Sequence, residues 1–159
     1  MSEGFDYTTA RREVLKLPSD WAALGVTRPD GTAVRDHGLA SVLLPGGAEG
    51  VAFLVFGNFK VLESYNTADA YVVGAGHLAD RIGGADPFQR EWPRHLRVLT
   101  HDERTELQQR LTAAGFDTIK IDAKMGPLTV DAIRRFQKSR DLLPDGYPSL
   151  SLLERLRAL

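Results

Sequence analysis

The stretch DAKMGPLTVDAIRRFQ, residues 122–137, decides the fold of the second half of the chain. Pro127 lies just ahead of an amphipathic run, where a missing backbone N–H costs little. Ile133 and Phe136 are three residues apart and therefore share one helical face. The stretch predicts a helix from about Thr129 to Ser139, with Ile133 and Phe136 on its inner side.

Two further helices are predicted on either side of this stretch. Thr100, followed three residues later by Glu103, is typical of a capping box, in which each side chain binds the backbone N–H of the other residue. Gly115 ends that helix, and Ser149 opens the last one. Leu107, Leu111 and Ala114 lie on one face of the first helix, and Leu153 and Leu156 are predicted to point inward from the last. Because a helix of about 10 residues is marginal by itself, the three segments are expected to form one bundle.

Ahead of the bundle, the sequence changes to short apolar runs rich in β-forming residues. Ala40–Leu44 and Val51–Phe56 are separated by PGGAEG, residues 45–50, which predicts a hairpin with a longer loop. Phe59–Leu62 is predicted to add a third strand after Gly57. A small antiparallel sheet follows from these three segments.

A helical period begins shortly after this sheet. Tyr71, Ala75, Leu78 and Ile82 fall at helical spacing. Asn66 or Thr67 could cap the start of this helix by accepting a backbone N–H, and Gly83 with Gly84 stops it. Tyr65 and Asn66 are therefore expected at a strand-to-helix junction.

Together these segments predict an α+β fold with two domains. A small antiparallel sheet with a helix occupies residues 1–83, and a three-helix bundle occupies residues 100–159. The stretch 84–99 contains a glycine and two prolines, which favours a connector over a regular element.

Composition and charge exclude several classes of protein. The net charge is −1, and the hydrophobic and charged fractions of 43% and 26% are those of a soluble globular chain. The absence of cysteine excludes disulfide scaffolds, zinc fingers and cysteine catalysis. No apolar run approaches the ~18 residues of a membrane-spanning helix, and residues 1–7 lack the features of a signal peptide. The four histidines are scattered without metal-ligand spacing, so no metal or cofactor is expected.

A helix-turn-helix reader of DNA is an alternative interpretation of the bundle. Residues 84–159 carry 13 basic and 11 acidic side chains, a balance of +2. Nucleic-acid-binding domains usually show a concentrated basic footprint, and long loops between the helices fit that motif poorly. We therefore expect no nucleic-acid partner.

The pattern of residues 102–157 resembles the bacterial peptidoglycan-binding domain of the three-helix type. The residues that carry this resemblance are Leu107-Gln108, Leu111, Gly115, Asp122, Gly126-Pro127, Thr129, Ala132-Ile133, Phe136-Gln137, Leu142, Asp145-Gly146 and Leu153. One departure is Ala123, where the family usually has glycine, and this is expected to tighten the loop without abolishing the fold.

The first part of the chain is similar to the last third of the catalytic region of lytic murein transglycosylases of the B family. The matching residues are Trp21, Leu24-Gly25-Val26, Pro45, Gly50, Ala52-Phe53-Leu54, Asn58-Phe59, Tyr65-Asn66, Tyr71 and Leu78-Ala79. A peptidoglycan-binding domain after this region is a common arrangement in the family, so the two resemblances support each other.

The resemblance also implies an activity that needs one more residue. These enzymes cleave the glycan strand and form an anhydro ring, with one glutamate acting as acid and then as base, a role that needs a raised pKa. In the family, that glutamate begins a Glu-Ser/Thr-x-Phe/Tyr-Gly motif upstream of everything present here. Glu63-Ser64-Tyr65 starts similarly but continues with Asn66-Thr67, so Glu63 is predicted to be an ordinary strand-end residue. We expect no catalytic residue in this chain.

The resemblance implies a saccharide-binding site at Tyr65, Asn66 and Tyr71. A tyrosine ring packs on the apolar face of a sugar, and an asparagine amide both donates and accepts hydrogen bonds. An alternative is that Tyr71 belongs to the core and that Asn66 merely caps the helix.

A second predicted site lies around the loop before the middle helix of the bundle. Its residues are Asp122, Gly126, Leu128, Thr129, Gln137 and Tyr147. An acid and a hydroxyl suit peptide amines and amides, and the N–H groups of a helix start suit a carboxylate. The alternative is that Asp122 and Gly126 only shape the turn.

The leading hypothesis is therefore peptidoglycan recognition by a fragment of a lytic transglycosylase without its catalytic glutamate. The expected partners are the glycan strand and the stem peptide, and the expected location is the periplasm or cell envelope, for a monomer. The alternatives are an enzyme competent only with its missing N-terminal half and a non-catalytic envelope module that binds another protein.

Overall fold

The chain divides into two units, Met1–Trp92 and Pro93–Leu159, and the boundary falls inside the predicted connector. The computed structural model describes residues 1–2, 4–66, 68–89 and 91–159. None of the helices in these ranges is long and apolar enough to cross a membrane.

The hairpin predicted in the first unit is confirmed. Strand β1 (Ser41–Leu43) pairs with strand β2 (Phe53–Val55) in an antiparallel ladder that places Ser41 opposite Val55. The apolar runs of the sequence form the strands, and the glycine-rich residues 45–50 form the loop between them.

A tryptophan anchors the core of the first unit. Helix α1 (Pro18–Ala23) carries Trp21, which is completely buried, and its indole N–H donates to the carbonyl oxygen of Ala40 at 2.8 Å. This bond satisfies the one polar atom of the ring, as burial of tryptophan requires. The other buried side chains around it are Phe5, Ala10, Val26 and Val42.

The predicted third strand is wrong, because residues 59–62 belong to helix α2 (Gly57–Glu63). Phe59 and Leu62 are half-buried, whereas Val61 is exposed. This spacing of three fits one face of a helix, whereas a strand would place Phe59 and Val61 on the same side. Tyr65 and Asn66 consequently follow a helix and not a strand.

Helix α3 (Asp69–Ile82) forms where it is predicted and is followed by Gly83 and Gly84. The Oδ1 atom of Asn66 accepts from the backbone N–H of Ala68 at 2.9 Å, just before the first turn. The helix cap itself is Ala68. The alternative capping residue, Thr67, lies outside the described residues.

The buried side of α3 is not the side whose residues carry the helical spacing. Val72 is the buried residue of this helix, with 1% of its surface exposed. Tyr71, Leu78 and Ile82, whose spacing predicts the helix, are exposed. Both sides of α3 carry apolar side chains, and the side with the regular i, i+4, i+7 period faces solvent.

The three predicted helices of the second unit are confirmed as α4 (His101–Ala113), α5 (Pro127–Ser139) and α6 (Leu150–Arg157). The capping box of Thr100 and Glu103 is present, and Ser149 caps α6. Helix α4 packs against both α5 and α6. The core contains Leu99, Leu107, Leu111, Ala132, Ile133, Phe136, Leu152, Leu153 and Leu156. The whole is an α+β fold.

An ion-pair network joins the first and last helices of this bundle. The carboxylate of Glu106 accepts from Arg110 at 2.7 Å and from Arg157 at 2.6 Å. The hydrogen bond from Arg157, and then that from Arg110, lower the pKa of Glu106 to about 2.

Candidate functional site

The loop before α5 is built around the side-chain amide of Gln108, on α4. This side chain is completely buried. Its Oε1 atom accepts from the backbone N–H groups of Asp122 and Ala123, at 2.9 and 2.8 Å. Its Nε2 atom lies 3.2 Å from Asp122 Oδ1, 3.0 Å from Lys124 O and 3.1 Å from Thr129 Oγ1. One amide thus fixes the loop and the start of α5.

Two of the six predicted site residues belong to this network. Thr129 is buried, and its hydroxyl also donates to the carbonyl oxygen of Lys124 at 3.2 Å. Asp122 is exposed and accepts from the backbone N–H of Lys124 at 2.9 Å. That bond, and then the one with Gln108, lower the pKa of Asp122, so its carboxylate stays charged.

Gly126 and Leu128 form the rim of the same loop. Gly126 is the N-cap of α5 and has no side chain, so no capping side chain accepts from the first backbone N–H groups of the helix. The first backbone N–H groups of the helix therefore depend on solvent or a ligand. Leu128 has 55% of its surface exposed.

Of the other two predicted site residues, Tyr147 lies in the loop before α6, and Gln137 lies on α5 and bonds to that loop. The Nε2 atom of Gln137 donates to Asp145 Oδ1 at 2.8 Å, and its Oε1 atom accepts from the backbone N–H of Gly146 at 2.9 Å. The backbone N–H of Tyr147 donates to the same Asp145 oxygen at 3.0 Å. Burial, and then the charge of Asp145, raise the pKa of the half-buried Tyr147.

The second loop crosses the middle of α5. Gly146 has a φ of +78°, and a Cβ atom there would lie 2.7 Å from Val130 and 3.0 Å from the Nε atom of Arg134. Thr129 and Gln137 are eight residues apart, about 12 Å along the helix. The predicted residues therefore form two glutamine-centred clusters along α5 and not a single cluster.

The supporting residue Gln108 was missed as part of the site, and so was Asp145. The signal lies in the repeated arrangement of the two loops. In both places a buried apolar residue is followed by a glutamine, as in Leu107-Gln108 and Phe136-Gln137. Each pair precedes a loop segment that contains an aspartate, Asp122 or Asp145. In each loop the glutamine donates to the aspartate and accepts from loop backbone.

Ala123, where the sequence departs from the family's glycine, has a φ of +58° and is buried. This left-handed conformation costs a residue with a Cβ atom about 1–2 kcal/mol. The bonds of Gln108 to the backbone of Asp122 and Ala123 hold the loop in this conformation. The loop therefore accommodates alanine where glycine would be unstrained.

In the first unit, Tyr65, Asn66 and Tyr71 are all exposed near the junction of α2 and α3. Tyr65 has 82% of its surface in contact with solvent, which leaves its ring and hydroxyl available to a ligand. Tyr71 lies in the first turn of α3 on the exposed side and is not part of the core.

Arg12 fastens this junction. Its guanidinium binds Glu63, at the end of α2, and Asp69, at the start of α3, and lies 5.1 Å from the centre of the Phe59 ring. Burial acts to lower the pKa of Arg12, but these two carboxylates raise it overall. Glu63 is thus a helix-end anchor of the junction, where a strand end was expected.

Metal-ligating clusters are absent from the described ranges: no group of three histidine, aspartate or glutamate side chains there could hold an ion.

Comparisons with known proteins agree with these two units. Two solved structures of SltB3 from Pseudomonas aeruginosa, in complex with NAG-anhNAM-pentapeptide and with NAG-NAM-pentapeptide, are 38% identical to the chain, with TM-scores of 0.92 and 0.93. Each match covers 99% of this chain and 43% of the SltB3 chain, so the present chain spans less than half of that protein's length. No curated protein is significantly similar to the chain in sequence.

Family models match both units separately. The model of a peptidoglycan binding domain matches residues 100–156, and the model of the transglycosylase SLT domain matches residues 1–80, just over half of the chain. The chain therefore belongs to the transglycosylase SLT domain family and joins that domain to a peptidoglycan-binding domain.

Proposed function

We propose that the second unit binds peptidoglycan without cleaving it, through the loop before α5 and the loop before α6. The observation that carries the proposal is the match of residues 100–156 to a peptidoglycan binding domain, within a chain that resembles SltB3 over 99% of its length. SltB3 itself has been solved with two muropeptides, which makes NAG-NAM-pentapeptide the ligand to test.

The chemistry of the first loop suits a stem peptide. The exposed Asp122 carboxylate, whose pKa is lowered, attracts peptide amines. The first N–H groups of α5 suit a peptide carboxylate, because the partial positive charge of a helix start favours anions. Leu128 adds an exposed apolar surface for an alkyl side chain.

Thr129 and Gln137 act from beneath this surface. Both are buried and bonded to loop atoms, so their role in the proposal is to position Gly126, Leu128 and Tyr147. Tyr147, half-buried at the second loop, offers a ring for a sugar face.

Co-sedimentation of the 159-residue chain with insoluble peptidoglycan tests this proposal. We expect the chain to sediment with the polymer and Leu128→Asp to weaken that binding about tenfold, because the new carboxylate repels the peptide carboxylate. Leu159→Asp is the matched control, because Leu159 is similarly exposed, at 65%, and lies in the same unit outside both loops. Equal loss in both variants, or no sedimentation, would reject the proposal and favour an envelope module that binds another protein.

A second candidate function is glycan cleavage by the first unit together with further transglycosylase polypeptide. The match of residues 1–80 to the transglycosylase SLT domain favours it, as does the exposed pair Tyr65 and Asn66. The sequence contains no Glu-Ser/Thr-x-Phe/Tyr-Gly motif. We therefore expect this chain by itself to release no anhydro-muropeptides from purified cell wall. Mass-spectrometric detection of such products above a boiled control would overturn this expectation.

The place of action follows from the substrate. Peptidoglycan lies in the bacterial envelope, so we place the protein there, in the periplasm where an outer membrane is present. The chain is taken to act as a monomer, and light scattering of the purified chain would check this.

A further inference from the structure

Helix α3 carries apolar residues on two sides, and one of these sides is exposed among the residues that the structure describes. At 3.6 residues per turn, Tyr71, Ala75, Leu78 and Ile82 fall within an arc of about 60°. Leu78 and Ile82 have 61% and 81% of their surface exposed. We call these four residues the outer stripe of α3. Val72, Val73 and Gly76 lie on the other side and are buried or half-buried against the first unit.

The outer stripe is unusual for the solvent-facing side of a helix. A surface helix carries an apolar face toward its core and a polar face toward solvent, whereas the stripe faces solvent and has no polar residue. The exposed charged residues Asp80 and Arg81 lie outside its arc. Contiguous exposed apolar residues mark a surface that contacts other polypeptide. Val61 and Tyr65, at the end of α2 and just after it, are exposed as well.

We propose that the outer stripe of α3 packs against further polypeptide of the transglycosylase domain, of the kind that SltB3 carries outside the segment matched here. The match at a TM-score of 0.92 covers 43% of the SltB3 chain, so more than half of that protein lies beyond the matched segment. The transglycosylase model covers residues 1–80, which include three of the four stripe residues. The stripe therefore lies in the unit that belongs to the larger domain.

The two sides of α3 then make different contacts. The Val72 side holds the helix to its own unit, and the outer stripe forms an interface with the rest of the domain. This proposal rests on the family membership and not on peptidoglycan binding by the second unit, so the two proposals fail separately.

Thiol labelling tests directly whether the outer stripe is packed, because the chain has no cysteine of its own. Leu78→Cys supplies one thiol on the outer stripe, and Leu143→Cys supplies a similarly exposed thiol in the second unit as the control. Maleimide labelling is measured in the 159-residue chain and in a chimera that carries this chain in place of the matching segment of SltB3, with any cysteine of the SltB3 part replaced by serine.

We expect Leu78→Cys to label at least about tenfold more slowly in the chimera than in the chain, since packed sites react only on local opening. Leu143→Cys should label at equal rates in both. Equal rates for Leu78→Cys would overturn the proposal, and so would a chimera that does not fold. Slow labelling in the chain alone, with a doubled mass in solution, would assign the stripe to a second copy and would also overturn it. Peptidoglycan co-sedimentation of Leu78→Cys should equal that of the unmodified chain, so this result reads out separately.

Discussion

Gln108 is the residue on which the first loop of the second unit depends. When its amide is removed, the backbone N–H groups of Asp122 and Ala123 lose their acceptor. Lys124 O and the side-chain oxygens of Asp122 and Thr129 lose one donor and keep the bonds that join Lys124 to Asp122 and Thr129. An unsatisfied buried polar group costs about 1–3 kcal/mol. The loop and the start of α5 therefore share one support.

We predict that Gln108→Leu lowers the free energy of unfolding by about 3 kcal/mol or more, because several groups lose a hydrogen bond at once. Gln109→Leu is the matched control, since Gln109 is exposed, and its effect should stay within about 0.5 kcal/mol. Urea denaturation measures both. Similar small effects of the two substitutions would show that the Gln108 network does not support the loop.

Ala123 lets the backbone conformation of the same loop be tested. We predict that Ala123→Gly changes the free energy of unfolding by less than about 1 kcal/mol, because relief of the left-handed strain offsets the loss of a buried methyl group. Ala123→Val should cost about 2 kcal/mol or more, since a branched side chain fits a φ of +58° poorly. Equal stability of the glycine and valine variants, compared by denaturation, would contradict this.

At the scale of the elements, the helices of the bundle could be predicted and two features of the first unit could not. The Thr100–Glu103 capping box and the Ile133–Phe136 spacing are local signals, and both predicted what forms. Phe59–Leu62 is four residues long, too short for its period to separate a helix from a strand. The spacing of Tyr71, Leu78 and Ile82 predicts helix α3, but it does not show which side of the helix is buried, and the buried residue is Val72.

The positions of the candidate site residues along the chain could be predicted, but the buried hydrogen bonds that support them could not. Gly126 and Tyr147 lie in the two loops and Leu128 lies in the first turn of α5, because the repeated aspartate-containing segments do precede α5 and α6. That Thr129 and Gln137 are buried supports could not be predicted, because their partners lie five and eight or nine residues away on loops of irregular backbone. Long-range bonds such as those of Gln108 leave no periodic trace in a sequence.

The link between α4 and α6 predicts a dependence on pH. The pKa of Glu106 is about 2, below the usual value of 4.5, so the folded state favours the charged carboxylate. Its contribution to stability is present above pH 4.5 and is lost as the pH falls toward 2. We expect Glu106→Gln to lower the melting temperature at pH 7 and to have no effect near pH 2. A constant difference across thermal melts in this range would show that the Arg157 pair does not join the helices.

At the scale of the whole molecule, each unit has its own core and matches its own family model. Trp21 anchors the first core, and Phe136 belongs to the second. We propose that the second unit recognises peptidoglycan and that the first unit is part of a larger transglycosylase domain. We propose that the two loops along α5 form the binding surface.

Nuclear magnetic resonance mapping of the bound ligand tests whether the two loops along α5 form the binding surface. The isotopically labelled 159-residue chain is titrated with NAG-NAM-pentapeptide, up to about millimolar ligand, the range in which weak binding saturates. We expect saturable shifts of the backbone amides of Gly126, Leu128, Thr129 and Tyr147, with the backbone amide of Leu159 unaffected. Shifts confined to Tyr65 and Asn66, or no shifts in the second unit at any ligand concentration, would contradict the proposal.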